Sequence, residues 1–311
     1  MLTKEAQLDA ASYGRGADVR HMLRLLRQNP IVLAGVIISL GSVLVGLFSW
    51  VLVNPSYWTQ LNPTLKLCWN NPIFDWHVPN AVTVCGATTF PLGTDDYGRS
   101  LLQMIILSIP VDLEIAFEVV ASAVVIGLVL GGVAAYVGGV LDEVILRVTD
   151  IFLAVPGILL AIVLLFVLGR TIPVLTVAVL VTWWPFYVRL VRSQILSEKE
   201  KLYVERLRAM GASGPRILFR HLIPNTIYPV LVQATLDIGA VILTVSALMF
   251  IGLTPSPQYP ELGNLAKQGI QYLFTAPWLI VFPGLTLLTI SVGFNLLGDG
   301  IRDVFDPRLR R

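Results

Sequence analysis

The sequence predicts an all-α membrane protein with six transmembrane helices, and three observations predict it. Of 311 residues, 55% are hydrophobic and 14% charged, with a mean hydropathy of +0.76; soluble domains carry about 25% charged residues. Six apolar stretches, at residues 31–53, 113–137, 144–168, 172–196, 227–253 and 277–297, reach the length of about 20 residues that a helix needs to cross the hydrocarbon. They are expected to be helices because each amide must then be satisfied within its own segment. Of the 22 lysines and arginines, all but Lys66, Arg99, Arg170 and Lys267 fall on the side that holds both termini. That bias orients the chain with its N- and C-termini in the cytoplasm. The basic inner face is explained by anionic membrane lipid and needs no nucleic acid.

Four regions follow along the chain: a tail at 1–30, a first span at 31–53, an outer loop at 54–112, and a five-helix core at 113–311. In the tail, Met22, Leu23 and Leu26 oppose Arg20, Arg24 and Arg27, a spacing suited to a short helix lying on the inner surface. Asn29-Pro30 marks entry to the first span, which is too long for a signal-peptide core and reads as an uncleaved anchor. The outer loop carries Asn-Pro pairs at 54, 62 and 71, which break helices and start turns. Its Trp and Tyr residues read as interfacial anchors; the alternative is a small lobe that meets an external partner or caps the pore mouth. Cys68 and Cys85 also lie there. On the oxidising side of the membrane they are expected to bridge, with two buried free thiols as the alternative.

The motif at 91–99, PLGTDDYGR, supplies Thr94 or Asp95 as cap for a helix beginning near Tyr97. That helix is expected to lie along the interface before the second span turns inward. Asp112, Glu114 and Glu118 at the outer end of that span read as a solvated mouth, or as an acidic vestibule that draws in cationic substrate. A tight turn at 138–142 joins spans two and three. Arg147 and Asp150, three apart on one face, pair with each other or with a neighbour. Pro156 and Pro185 kink spans three and four.

The most informative segment is the polar, basic block at 197–224 between spans four and five, SEKEKLYVERLRAMGASGPRILFRHLIP. Glu205, Gly211 and Pro224 stand at fixed intervals around the small residues Ala209, Ala212, Ser213 and Gly214 and the intervening Met210. This block resembles the coupling loop of importers driven by ATP-binding cassette subunits, with Arg206 and Leu207 in place of two alanines and His221 in place of an aliphatic residue. Together with PLGTDDYGR, residues 138–150, Trp184-Pro185 with Tyr187, Arg189 and Leu190, and the tail FNLLGDGIRDVFDPRL, the resemblance is to the C-type permease subunits of the oligopeptide/dipeptide/nickel importers. It runs from about residue 20 to the C-terminus. It implies the type I importer permease fold. It also implies a second, B-type permease subunit, two ATPase subunits that bind ATP and Mg, and an extracytoplasmic solute-binding protein. Residues 205–214 would dock in a groove of one ATPase, and the substrate would be a di- or oligopeptide, with oligosaccharide and nickel as alternatives. The chain departs from many relatives at Pro110, where they carry Arg, and at Val245, where they carry Glu.

No catalytic chemistry is legible. A phosphate-cradling loop needs Gly-Lys, and that dipeptide is absent. His21, His77 and His221 are too scattered for metal-ligand spacing, and no nucleophile pairs with a base at recognisable spacing. The chain is therefore expected to be a transporter subunit that binds no cofactor or metal itself. A secondary transporter is the rival reading, but it would call for repeats or broken helices with paired charges. Candidate path residues are Gln233, Asp237, Thr244 and Ser246 in span five and Asn295 in span six. An intramembrane carboxylate must face water or a partner, so Asp237 is either pore-lining or paired with the partner subunit. The polar residues serve equally as helix–helix contacts.

Overall fold

The computed structural model describes residues 29–54, 56, 90–253, 255 and 259–305, and every described element is helix or turn apart from one isolated bridge between Thr94 and Ser100. Cys68, Cys85, the N-terminal tail and most of the outer loop lie outside the described residues.

Helix α1, Pro30–Leu52, starts with Asn29 accepting from the Ile31 amide and with proline in the first turn, where a missing N–H costs nothing. Helix α2 is Leu101–Ile126; a π-turn, Gly127–Gly131, joins it to α3, Gly132–Val137. Helices α4, Gly139–Leu153, and α5, Gly157–Leu168, follow, then α6, Ile172–Lys199. The polar helix α7, Leu202–Ala209, and one turn, α8, Gly214–Ile217, lead through a second π-turn, Leu218–Leu222, into α9, Ile223–Phe250. Helices α10, Leu262–Gln268, and α11, Trp278–Phe305, complete the chain. Among the described residues, five helical segments are long and apolar enough to cross a membrane, and α4 with α5 makes a sixth as a span bent by 82°.

Pro156 explains that bend: it lies between the helices, donates no amide, and pushes Val155 out of helical conformation. Pro185, by contrast, is carried inside continuous α6. The proline at 224 follows the Leu218–Leu222 π-turn, whose longer bonding pattern accommodates a residue that cannot donate.

Three sequence expectations change. No helix begins at Tyr97, and the 101–112 segment is not a separate interfacial helix. Thr94 and Asp95 belong to a closed turn in which the Asp95 carboxylate accepts from the Tyr97 and Arg99 amides and holds the Arg99 guanidinium at 2.6–2.7 Å. Leu101, Met104 and Ile105 are buried in the first turns of α2, because the 90–100 turn and α10 cover that end. Asp112 is also buried, not part of a solvated mouth, while Glu114 and Glu118 are exposed. The Asp112 carboxylate accepts from the Leu262 amide at 3.3 Å and lies within reach of Glu261. Glu261 in turn caps α10 through the Gly263 and Asn264 amides and accepts from the Ser246 hydroxyl.

One end of the bundle is thus a lock between the 90–100 turn and 259–278, completed by the Trp278 indole on the Thr94 carbonyl and Tyr272 on Asp96. Burial pushes the Asp96 carboxyl above its usual range. In the body, α9 packs on α11, α11 on α1, and α2 on α6. The contact of the π-turn with α6 is at backbone distance: a Cβ on Gly131 would lie 2.4 Å from the Val188 carbonyl oxygen. A second apolar cluster, built on Ala135, Tyr187, Ile195, Val204, Ile217 and Leu222, sits beneath the opposite end.

Candidate functional site

That opposite end carries the 197–224 loop. The sequence builds it from a short helix that cannot bury itself. Of α7, only Val204 is fully buried, and Leu202 and Met210 stand 69% and 74% exposed despite being apolar. The helix ends in a two-bond reverse turn: the Gly211 amide donates to Arg208 and the Ala212 amide to Leu207, with Gly211 at φ +77°. This is the glycine-closed helix terminus that satisfies the last carbonyls and suits glycine at the left-handed position. Ser213 then starts α8, with Pro215 in its first turn.

The loop is fixed from below. Lys199 Nζ donates to the Ala135 and Tyr136 carbonyls at 3.0 and 2.8 Å, capping the end of α3, where a cation also meets the negative end of the helix. Tyr136 lies against Gly214 so closely that a Cβ there would meet its ring at 3.0 Å. The Tyr203 hydroxyl donates to Glu198 at 3.0 Å and accepts from Asn225 Nδ2 at 3.2 Å, tying α7 to α6 and to the start of α9. Burial raises the Tyr203 phenol, so it stays a neutral donor. Beside the loop, Arg192 grips Asp142 with two bonds of 2.6 and 2.7 Å, joining α6 to the first turn of α4; the turn expected over 138–142 is confined to Gly138-Gly139, and Asp142 is helical. Asp150 pairs with Arg189, and Arg147 with Glu143, so each finds a neighbour and not the other.

The upper face is bare. Glu205, Ala209, Met210, Gly211, Ser213 and Pro224 are exposed, and Ala212 and Gly214 half-buried. The arrangement can transmit force: a push on α7 reaches α3, α6 and α9 together through polar links of fixed direction.

The candidate path residues do not all converge. Gln233, Asp237 and Thr244 line one cavity of about 340 Å³ with Gly157, Ile158, Thr182, Trp183 and Phe186. Asp237 Oδ2 accepts from the Tyr187 hydroxyl at 2.6 Å and Oδ1 from Gln233 Nε2 at 3.0 Å. Ser246 instead donates to buried Glu261, and Asn295 is bonded to the Ser291 carbonyl of its own helix. From the sequence, Trp183 and Glu261 carry no role, Tyr187 only a place in the family resemblance, and Asp112 a place at the outer mouth and not its partner Glu261. Asp112 becomes visible as an intramembrane charge once α2 is started at Leu101, and Glu261, followed by Leu-Gly-Asn, has the placing of a helix cap. Among the described residues, no group of three or more His, Cys, Asp or Glu is placed to hold a metal ion.

Comparison with known proteins gives a consistent result. Residues 123–311 match the family described as binding-protein-dependent transport system inner membrane component. The chain is 34% identical over 292 residues to a dipeptide transport system permease protein of Alkalihalophilus pseudofirmus, covering 94% of this chain and 90% of the relative. It is 38% identical over 226 residues to the dipeptide permease protein of Haemophilus influenzae, covering 73% and 77%. It is 33% identical over 219 residues to an oligopeptide transport system permease protein of Bacillus subtilis, covering 70% and 72%.

Proposed function

Because the chain belongs to the family of binding-protein-dependent transport system inner membrane components, we propose that it forms half of the translocation path of an ATP-driven importer of di- and oligopeptides. A second, B-type permease subunit forms the other half, a solute-binding protein delivers the peptide from outside, and two ATPase subunits carry the ATP and Mg. Both termini lie in the cytoplasm, as the lysine and arginine bias requires, which puts the 197–224 loop on the ATPase side. The observation that carries this reading is the loop itself, with its exposed Leu202 and Met210 above a base tied to three helices. Apolar side chains left exposed in an otherwise polar loop, on a platform tied to three helices, support reading this face as one that another protein covers. The relatives named above support peptides as substrate.

On this reading the chain performs no covalent step. Closure of the ATPase pair presses residues 205–214, and the rigid links move α3, α6 and α9 as one unit, changing which side of the membrane the path faces. The test is reconstitution. Proteoliposomes holding this chain, its partner permease and both ATPases are expected to accumulate L-alanyl-L-alanine only with ATP and the binding protein present. Uptake driven by an ion gradient without ATP would favour a secondary transporter and overturn the proposal.

A further inference from the structure

We infer that the Asp237 cavity is an ammonium-binding station on the path, which receives the free amino terminus of a passing peptide. The inference rests on the import reading above and adds a site to it.

Asp237 lies in the middle of α9, 9% exposed, where a carboxylate is disfavoured against lipid and faces water or a partner group instead. Its hydrogen bonds come from neutral groups: the Tyr187 hydroxyl at 2.6 Å, Gln233 Nε2 at 3.0 Å and, more loosely, the Trp183 indole. An ionised carboxylate accepts only, with about four lone-pair sites, so these donors fix its orientation and leave its charge uncompensated. Among the described residues the ion pairs all lie elsewhere, on Asp95, Glu143, Asp150, Asp142 and Glu198.

The cavity that Asp237 lines is shaped for a cation of limited size. Trp183 and Phe186 wall it, and aromatic faces attract cations through the ring quadrupole. Gly157, at the 82° break between α4 and α5, brings backbone and no side chain to the rim. The volume of about 340 Å³ is at the low end of the range for small-molecule sites, about 300–1,000 Å³. It admits a terminus with its first side chain and not a whole oligopeptide. A metal ion fits poorly: among the lining residues Asp237 is the one carboxylate, with no histidine or cysteine beside it, and the Gln233 N–H₂ is already bonded to Asp237 Oδ1. An ammonium needs only acceptors and an aromatic wall.

The test uses the assembled complex of both permease subunits and both ATPases in lipid nanodiscs, without the solute-binding protein, whose own selectivity would mask the site. Binding of L-alanyl-L-alanine is compared with that of its N-acetyl derivative by saturation-transfer NMR. The wild-type complex is expected to favour the free amine by about tenfold, the scale of one charge-assisted hydrogen-bonded pair. Asp237→Asn should reduce the preference below about twofold, and Asp237→Glu should keep part of it. Phe186→Ala, at a side chain 44% exposed and so safe for folding, should lower the preference by about threefold. Equal binding of the two probes by wild type, or an undiminished preference in Asp237→Asn, overturns the inference. Equal binding by wild type, with Asp237→Asn failing to assemble with the partner permease, would assign Asp237 to a cation of that subunit instead. If wild-type proteoliposomes import no peptide at all, the import reading fails and this inference fails with it; import without amine preference sinks only the inference.

Discussion

Gly211→Arg is expected to cut ATP-driven uptake at least tenfold while leaving the chain folded in the membrane. The separation follows from where Gly211 sits. Its φ of +77° closes the end of α7, and nothing lies within 4 Å of where a Cβ would stand. An L side chain in that conformation costs about 1–2 kcal/mol, too little to unfold a bundle whose cores lie elsewhere. The arginine would project from the face that carries Met210 and Ser213, both exposed. A bulky charge at the centre of a docking face costs about 2 kcal/mol or more, roughly thirtyfold in affinity. Uptake should therefore fall at least tenfold by the same conversion, with the amount of inserted chain close to wild type. Gly211→Ala separates the two contributions: it carries the backbone strain without the bulk and should retain most activity. Uptake at wild-type rate in Gly211→Arg would argue that the face docks nothing.

The second large effect is on folding. Gly131→Leu should prevent recovery of a monodisperse protein from detergent. A Cβ at that position would stand 2.4 Å from the Val188 carbonyl oxygen and 3.2 Å from the Arg192 amide nitrogen, and one on Gly127 would stand 2.6 Å from Tyr187 Cβ. These obstacles include backbone of a neighbouring helix, which has no rotamer to adopt, so the helices must part. Overpacking commonly costs about 1–3 kcal/mol. Here the separation also strains the Tyr187–Asp237 and Arg192–Asp142 links that depend on α6. Gly132→Ala is the matched control: its Cβ would meet only side-chain ends, at 3.5 Å or beyond, and should leave the elution profile unchanged. Size-exclusion chromatography of a fluorescent fusion reads both.

The apolar spans, the glycine junction at 138–139 and the break at Pro156 were legible because each rests on a local rule: length of an apolar run, glycine at positive φ, proline without a donor. The loop at 197–224 was legible for the same reason, its turn being encoded by Gly211 within a few residues. What escaped was set at a distance. Asp112 reads as a wet outer carboxylate until Glu261 and the Leu262 amide, some 150 positions away in sequence, fold over it. Thr94 and Asp95 read as helix caps, yet Arg99, Gln268 and Trp278 recruit their turn into a lock. Of the polar residues in α9, helical phase alone could not separate Asp237 and Thr244, which share a cavity, from Ser246, which turns to Glu261. The partners that sort them come from α6 and α10, and no spacing within α9 encodes that.

The measurement that bears most directly on the account is site-specific photo-crosslinking from Met210, replaced by benzoylphenylalanine, in membranes expressing the whole complex. An efficient crosslink to an ATPase subunit, changing in yield when ATP is trapped, is the predicted result. Crosslinks to lipid alone, or labelling of that position by a membrane-impermeant reagent from the outer side, would contradict it.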